Sequence, residues 1–375
     1  MPIPSPSELL DALSHVIDPE IRRPVTDLDM VGDLEIDDGG AVHAEIRLTV
    51  AACPLRDELV GGARDALAAL DGVTSVEVTT RPMTAAEREA LRAKLRGGGS
   101  DREIPFAQPG STTRVFAIAS GKGGVGKSTV TANLALALAG RGLRVGVIDA
   151  DVYGFSIPRM MGADGEPTQV DDMILPAVVA GIKVISMGML VPEGQPVVWR
   201  GPMLHRVIQQ FLTDVFWGDL DVLLLDLPPG TGDVPLSVAQ MLPSAEIVIV
   251  TTPQPAAADV AGRAGAMALQ TRQRVAGVIE NMSWLTQADG SRMELFGKGG
   301  GASVAADLSA ALGAPVPLLG QIPLDMALRE GGDTGKPVVV AAPDSPAAVA
   351  ITAIAQALAI RAESLVGRPL GVSPL

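Results

Sequence analysis

The sequence predicts an α/β fold in which a mostly parallel sheet, covered on both faces, is preceded by a small α+β domain. From residue 114 onward, near-continuous apolar runs alternate with helical segments, which is typical of parallel strands buried on both faces. Before residue 83, the order is helix, two strands, helix and strand, which is typical of a compact α+β unit. The change of pattern predicts separate domains within the 375 residues.

The small domain is predicted to span residues 1–83. It begins with a helix over residues 7–17 that places Leu9, Leu13 and Val16 on one face. The segment Asp18-Pro19-Glu20 ends this helix, because proline cannot continue it. The remaining predicted elements are strands at 33–37 and 41–50, a helix at 56–70 and a strand at 73–79.

Residues 84–112 are predicted to form a charged helix followed by a flexible linker, since the run Gly97-Gly-Gly-Ser100 breaks the helical pattern. The large domain then spans residues 113–375. It ends with a helix near 345–362, which lacks the basic face of a membrane-surface helix. Its strand-like runs lie at 115–119, 143–149, 182–186, 222–226, 246–251, 275–280 and 316–319.

A glycine-rich loop follows the first strand of the large domain and opens a helix. Its sequence fits the pattern G-x-x-x-x-G-K-[ST] of a phosphate-binding loop, or P-loop. Backbone N–H groups of such a loop surround phosphate oxygens, and the helix N-terminus adds partial positive charge. Lys127 is expected to reach the β- and γ-phosphates, and the Ser128 hydroxyl to bind Mg²⁺. The residues predicted to bind a nucleoside triphosphate are Gly121, Lys122, Gly123, Gly124, Val125, Gly126, Lys127, Ser128 and Thr129.

Aspartates end two of the predicted strands, at the edge where open parallel sheets bind ligands. Asp226 follows four apolar residues, a position from which a carboxylate holds the hydration shell of Mg²⁺. Asp149 is expected to support the same ion, and Asp151 to orient the water that attacks the γ-phosphate. The alternative for Asp151 and Asp226 is that each caps a helix.

Lys122 is a second lysine in the loop. The pattern K-G-G-x-G-K-[ST] resembles that of the deviant-loop ATPases, the class of MinD, ParA and the nitrogenase iron protein. In that class the extra lysine reaches across a dimer interface to the ATP of the partner. The resemblance therefore implies an ATP-dependent homodimer, in which Lys122, Lys127 and Asp151 act in hydrolysis.

Further motifs resemble the Mrp/ApbC branch of this class, whose members are homodimeric iron–sulfur cluster carriers. The resemblance implies that Asn281 contacts adenine and that the partners are apo iron–sulfur proteins or assembly factors. The N-terminal domain is similar to the small domain of many such carriers and of iron–sulfur assembly factors. The motifs are Val198-Trp-Arg-Gly-Pro-Met203, Leu225-Asp-Leu-Pro-Pro-Gly-Thr-Gly-Asp233, Gly277-Val-Ile-Glu-Asn-Met-Ser283, Phe296-Gly-Lys-Gly-Gly300, Gln321-Ile-Pro-Leu-Asp325, Asp18-Pro-Glu20 and Leu48-Thr-Val-Ala-Ala-Cys53-Pro-Leu55.

The cysteine content departs from this family pattern. Mrp proteins have a C-x-x-C pair after the Asn-Met-Ser segment, whereas residues 284–295 contain no cysteine here. Iron–sulfur clusters are usually held by thiolates. Because Cys53 is the chain's one cysteine, a cluster would need Cys53 from both subunits together with other ligands. Cys53 is otherwise a small apolar residue of the fold.

The composition limits the partners. The net charge is −14, from 29 basic and 43 acidic residues, and this opposes binding to a nucleic-acid backbone. No apolar stretch approaches the ~20 residues of a membrane span. The first residues also lack the basic start and apolar core of a signal peptide. We therefore expect a cytoplasmic protein that binds neither nucleic acid nor membrane.

Two alternatives to an ATP-hydrolysing cluster carrier remain open. One is a ParA/MinD-like switch that binds a surface in its ATP form. The acidic net charge opposes binding to DNA. The C-terminal helix has little charge, which argues against binding to a membrane surface. The other is an ATP-driven dimeric adaptor that docks client proteins through the N-terminal domain and holds no cluster.

Overall fold

A computed structural model describes residues 3–49, 55–96, 103–108, 110–152, 154–163, 167–190, 201–254 and 268–360. The chain divides into two units. The first contains Met1–Gln108, Gly165–Val178 and Gln209–Gly218, and the second contains Pro109–Asp164, Val179–Ile208 and Asp219–Leu375. Two segments from beyond residue 113 thus fold with the N-terminal residues, which the sequence pattern does not indicate.

Both units contain helices and strands. In chain order they are α1 (Pro6–Ser14), β1 (Val31–Ile36), β2 (Ala41–Leu48), α2 (Arg56–Ala68), β3 (Ser75–Pro82), α3 (Ala85–Arg96), β4 (Arg114–Ser120), α4 (Lys127–Ala139), β5 (Val145–Asp149), α5 (Ile157–Met161), β6 (Thr168–Val170), β7 (Met173–Leu175), β8 (Ala177–Val179), β9 (Ile182–Ser186), α6 (Gly201–Thr213), β10 (Val222–Asp226), α7 (Asp233–Met241), β11 (Glu246–Thr251), β12 (Val275–Thr286), β13 (Arg292–Met293), α8 (Gly300–Leu312), β14 (Leu318–Leu324), α9 (Met326–Thr334), α10 (Val338–Ala341) and α11 (Pro346–Ala359).

The first unit contains a three-stranded sheet of order β1-β2-β3. β1 and β2 are antiparallel, whereas β2 and β3 are parallel. Every second side chain of β2, from Val42 to Leu48, is buried, as expected for a strand with one face on a core. These side chains share a core with Leu9 and Leu13 of α1 and with Leu59 of α2.

The β6–β7 hairpin adds three side chains to this N-terminal core: Val170, Met173 and Leu175. The Thr168 hydroxyl donates a hydrogen bond of 2.9 Å to the Glu20 carboxylate. Glu20 belongs to the Asp-Pro-Glu motif, so this motif holds the hairpin. It does not end α1, because that helix already ends at Ser14 and not at the predicted residue 17. Burial raises the pKa of Glu20, as expected for a carboxyl group enclosed within a folded unit.

The large sheet has nine strands, and all of them except β8 lie wholly in the second unit. Its strands follow the order β13-β12-β11-β4-β10-β5-β9-β8, and β14 pairs with β12. The pairs of β4 with β10 and β11, of β5 with β9 and β10, and of β12 with β11 and β14 are parallel. All side chains of β5, β9 and β10 are buried, so helices and loops cover both faces. The predicted α/β fold with a preceding small domain is confirmed.

Helix α11 belongs to the core of the second unit. Its side chains Ile351, Ile354 and Leu358 are buried in the cluster that also contains Phe116 of β4. The apolar composition of this helix is thus explained by packing inside the protein. Within the described ranges, no helix combines the length and the apolar character that crossing a bilayer requires.

Strand ends differ from the predicted ones at the edge of the large sheet. β12 continues to Thr286, beyond the predicted end at residue 280, because its last residues pair with β13 and β14. β14 covers Leu318–Leu324 instead of 316–319. Pairing between distant segments determines where these strands end, so a local apolar pattern does not predict their ends.

Part of the predicted linker is anchored. Pro105–Ala107 forms one 3₁₀ turn whose Phe106 side chain is buried. The Phe106 ring meets the Trp217 ring edge-on, with 6.3 Å between centroids. Such a pair contributes about 0.5–1.5 kcal/mol beyond the burial of its area.

Candidate functional site

The loop between β4 and α4 has the backbone geometry of a phosphate cradle. Gly124 and Gly126 lie in the left-handed region, with φ values of +81° and +79°. Residues with a Cβ atom rarely adopt this conformation. A Cβ atom at Gly126 would also lie 2.3 Å from the Asn281 amide nitrogen. Glycine is therefore required at position 126 both by the backbone and by a neighbour.

The loop lines a cavity of about 230 Å³. Lys122, Lys127 and the N-terminus of α4 border this cavity, and such groups attract an anionic ligand. Gly121 lies between two lining residues in the chain and is not itself one of them. These residues are Ser120, Lys122, Gly123, Gly124, Val125, Gly126, Lys127, Ser128, Thr129, Asp151, Gly154, Ser156, Met160 and Pro229.

The carboxylate of Asp226, at the end of β10, is the centre of the site. It is fully buried, and the Lys127 ammonium, which is also buried, lies 2.7 Å from its Oδ2. The Ser128 hydroxyl donates to the same oxygen at 2.5 Å, and the Thr131 hydroxyl donates to Oδ1 at 2.7 Å. The predicted strand end, loop lysine and loop serine are thus brought together.

Asp149 lies beside Asp226, because β5 and β10 pair in parallel with these two residues in register. Its Oδ2 accepts hydrogen bonds from the backbone N–H groups of Ser156 and Ile157, at the start of α5. Burial raises the pKa of the Asp149 carboxyl, and the nearby Asp226 carboxylate raises it further. Two carboxylates with one buried lysine leave an excess of negative charge that a cation would neutralise.

This donor set fits Mg²⁺. Carboxylate and hydroxyl oxygens are the hard ligands that Mg²⁺ prefers, and the ion commonly keeps several waters. Ser128, Asp149 and Asp226 supply such oxygens next to the loop that cradles phosphate. The hydrogen bonds from the start of α5 fix the Asp149 carboxylate, so Asp149 also caps this helix. This second role is not predicted from the sequence.

Asp151 lines the cavity and lies two residues after Asp149, where β5 ends. Its Oδ1 accepts a hydrogen bond of 3.0 Å from the Gly154 N–H group. Its own N–H group donates to Asp149 Oδ1 at 3.2 Å. The two aspartates are therefore linked, and Asp151 shares the cavity with Lys127 and Ser128.

Asn281 lies on β12 and contacts the loop directly. Its side chain is buried, and Nδ2 donates a hydrogen bond of 2.9 Å to the Val125 carbonyl oxygen. The predicted adenine-side residue is therefore a neighbour of the phosphate loop. The contact fixes the loop at the residue before Gly126.

Glu280, next to Asn281 on β12, is a buried charged residue that the sequence prediction missed. Its carboxylate accepts hydrogen bonds of 2.6 Å from the Gly301 N–H group and from the Gln321 side chain. It thus ties the strand of Asn281 to α8 and β14. The available signal was a charged residue inside the apolar run of residues 275–281, where an unpaired charge would be costly.

Lys122 forms a contact that the sequence did not predict. Its Nζ donates a hydrogen bond of 3.0 Å to the side-chain oxygen of Gln254, which follows β11. The two loop lysines therefore have different partners. Lys127 pairs with a carboxylate, and Lys122 with a neutral amide.

The segment that would contain the family's C-x-x-C pair is a hairpin of β12 and β13. Leu285 pairs with Met293, and the Arg292 guanidinium lies 3.9 Å from the centroid of the Trp284 ring. Residues 284–295 offer no thiol. Cys53, the remaining candidate ligand, lies outside the described residues.

A glycine loop between a central parallel strand and a helix, with two buried aspartates at adjoining strand ends, defines a P-loop NTPase. The model of the family described as NUBPL iron-transfer P-loop NTPase matches residues 111–359. The chain belongs to this family. A second family model, described as iron-sulfur cluster assembly protein, matches residues 6–79.

Relatives of similar length support this membership. A protein from Mycobacterium leprae named iron-sulfur cluster carrier protein is 56% identical over 368 residues, which cover 98% of this chain and 96% of the relative. A protein of the same name from Synechocystis is 43% identical and covers 94% and 96%. Among solved structures, a nucleotide-binding protein from Archaeoglobus fulgidus in complex with ADP is 40% identical, with a TM-score of 0.51 over 60% of this chain and 86% of that one.

Proposed function

We propose that the chain is a cytoplasmic homodimer that binds and hydrolyses ATP with Mg²⁺ and transfers iron–sulfur clusters to apoproteins. The observation that best supports the ATPase is the convergence of Lys127 and Ser128 on the buried Asp226 beneath a glycine loop. The family's description as iron-transfer NTPases and the names of the relatives support the cargo. The cluster is the substrate that is carried, not part of the ATPase chemistry.

The residues that line the cavity and those buried beside it take separate roles in hydrolysis. Lys127 and the loop N–H groups hold the phosphates. Ser128, Asp226 and Asp149 hold Mg²⁺, partly through water, and the ion neutralises phosphate charge when bound. Asp151 orients the water whose oxygen attacks the γ-phosphorus as the bond to the ADP oxygen breaks. Asn281 contacts the adenine, and its hydrogen bond to Val125 connects the adenine-binding side of the site to the loop.

Lys122 is proposed to complete the site of the partner subunit. Lys122→Ala is therefore expected to leave ATP affinity unchanged and to lower turnover by about 10²-fold, the usual effect of removing one donor to a transition-state oxygen. Affinity is measured by calorimetric titration and turnover by phosphate release. Lys336→Ala, at an exposed lysine, is the matched control and should behave as wild type. Unchanged turnover in Lys122→Ala would remove the proposed role.

The cluster site is proposed to use Cys53 of both subunits. The hairpin at residues 284–295 has no thiol, so it cannot supply the thiolates that clusters usually require. The other ligands then come from a partner protein, a small thiol, or oxygen or nitrogen donors. Transfer to an apoprotein is favoured by such a shared site, because the acceptor's thiolates can replace the weaker ligands.

Anaerobic reconstitution with iron and sulfide tests the carrier function. Wild type is expected to bind a stoichiometric cluster per dimer, seen in the optical spectrum and by iron and sulfide analysis. Cys53→Ser should lose the cluster while it keeps ATP affinity, which shows that the variant is folded. A cluster of equal occupancy in both proteins would contradict the assignment to Cys53.

An ATP-driven dimeric adaptor is the second candidate. The observation that favours it is the formed, thiol-free hairpin where the family pattern places its cysteines. In that case neither wild type nor Cys53→Ser would bind iron and sulfide. Capture of client proteins would then depend on ATP alone.

A further inference from the structure

The contact between Lys122 and Gln254 joins two loops at the carboxyl edge of the sheet. The Lys122 Nζ and the Gln254 side-chain oxygen are 3.0 Å apart, and both residues are half-buried. β4 and β11 are parallel neighbours in which Ser120 pairs with Val250. Because the strands end side by side, the residues that follow them lie within reach of each other.

Each end of this contact has a fixed backbone. The Ser120 hydroxyl donates a hydrogen bond of 3.2 Å to the Lys122 carbonyl oxygen. On the other side, the carbonyl of Pro253 packs against Gly300, where a Cβ atom would lie only 2.6 Å from the carbonyl oxygen. Gln254 therefore presents its amide from a well-supported position.

The charge on the acceptor distinguishes the two lysines of the loop. Lys127 is paired with the Asp226 carboxylate at 2.7 Å. Over the described ranges, by contrast, no carboxylate lies within 4.0 Å of the Lys122 ammonium, whose acceptor is neutral. An anionic acceptor adds the attraction between opposite charges to the hydrogen bond, and a neutral amide does not supply that attraction. A triphosphate would therefore draw Lys122 away from Gln254, whereas a carboxylate at position 254 would compete with it.

We propose that Gln254 is a positioning residue that holds Lys122 on its own subunit and releases it to the triphosphate bound by the partner. The inference rests on the proposed role of Lys122 across the dimer. A neutral acceptor keeps the flexible lysine side chain in one place. Breaking this contact costs little free energy, so the lysine is released easily. The residue type at position 254 thereby sets how readily ATP brings the two subunits together.

The variant Gln254→Glu tests this role, because it replaces the neutral acceptor with a charged one of the same shape. Each dimer would have to break two new ion pairs, so the protein concentration that gives half-maximal turnover should rise roughly tenfold at low salt. Calorimetric ATP affinity should stay the same. The effect should shrink as ionic strength increases, since salt screens a half-exposed ion pair and would not repair misfolding.

Two further variants show whether the effect passes through Lys122. Gln254→Ala removes the acceptor and should turn over at or above the wild-type rate. Adding Gln254→Glu to Lys122→Ala should not change turnover further, because the lysine ammonium that the new carboxylate would hold is gone. If Gln254→Ala instead lowers turnover as much as Lys122→Ala does, Gln254 is an activating contact and the inference is wrong.

The outcomes separate this inference from the proposed function. If Lys122→Ala lowers turnover and Gln254→Glu behaves as wild type, the role of Gln254 is wrong and the role of Lys122 stands. If Lys122→Ala itself turns over normally, the proposed role of Lys122 fails, and with it the ground for the inference. Both proposals are supported if Gln254→Glu raises the protein concentration for half-maximal turnover, if this rise shrinks with added salt, and if it disappears when Lys122 is absent.

Discussion

Lys127→Ala is expected to abolish ATP binding in a calorimetric titration. The side chain follows the left-handed Gly126 at the first position of α4, where its ammonium and the helix N-terminus act on the same ligand. No other described lysine besides Lys122 lines the cavity. Lys122 is held by Gln254 and is proposed to act in the partner's site, so it is not expected to replace the lost charge. Retained ATP affinity would refute the assignment of the phosphate loop.

The same substitution affects stability, and the two effects must be separated. Asp226 is fully buried, and Lys127→Ala leaves its carboxylate without a counter-charge. Removing one partner of a buried ion pair costs about 3–5 kcal/mol. The double variant Lys127→Met with Asp226→Asn removes both charges and keeps an acceptor for the Thr131 hydroxyl. It is expected to recover thermal stability, which would show that the loss of stability in Lys127→Ala comes from the unpaired Asp226 charge.

The parts of the site that the sequence predicts are those that local patterns determine. Residues 121–129 form a strand-to-helix loop within one short segment, and its glycines and lysine have fixed spacing. Asp226 was predicted because four apolar residues precede it and strands of a parallel sheet end at one edge. The fold class follows in the same way from the alternation of apolar runs with helices.

The parts that the sequence does not predict depend on distant pairings. Gln254 meets Lys122 only because β11 pairs with β4, and nothing near residue 254 reports that pairing. The β6–β7 hairpin has strands of three residues, too short for a periodic pattern, and its place in the N-terminal core comes from contacts across the chain. Asp149 is similar, since its role as a cap of α5 depends on a turn of the chain after β5.

Gly126→Ala and Gly124→Ala form a matched pair with different expected outcomes. Both residues have φ values near +80°, so an alanine at either position pays about 1–2 kcal/mol for the left-handed conformation. Nothing lies within 4 Å of a Cβ atom at Gly124, whereas one at Gly126 would collide with the Asn281 amide. Crowding of this kind adds typically about 1–3 kcal/mol. Gly126→Ala should therefore unfold at a clearly lower denaturant concentration than Gly124→Ala.

The collision also has a consequence for ATP. To accept a methyl group at position 126, the Asn281 side chain must move, and its hydrogen bond to the Val125 carbonyl is then lost. The loop would change shape where it binds phosphate, so Gly126→Ala is expected to lose ATP affinity in a calorimetric titration. In an Asn281→Ala background the amide is absent, and the stability cost of Gly126→Ala should fall to that of Gly124→Ala. An unchanged cost in that background would show that the backbone alone, and not the contact with β12, requires glycine at position 126.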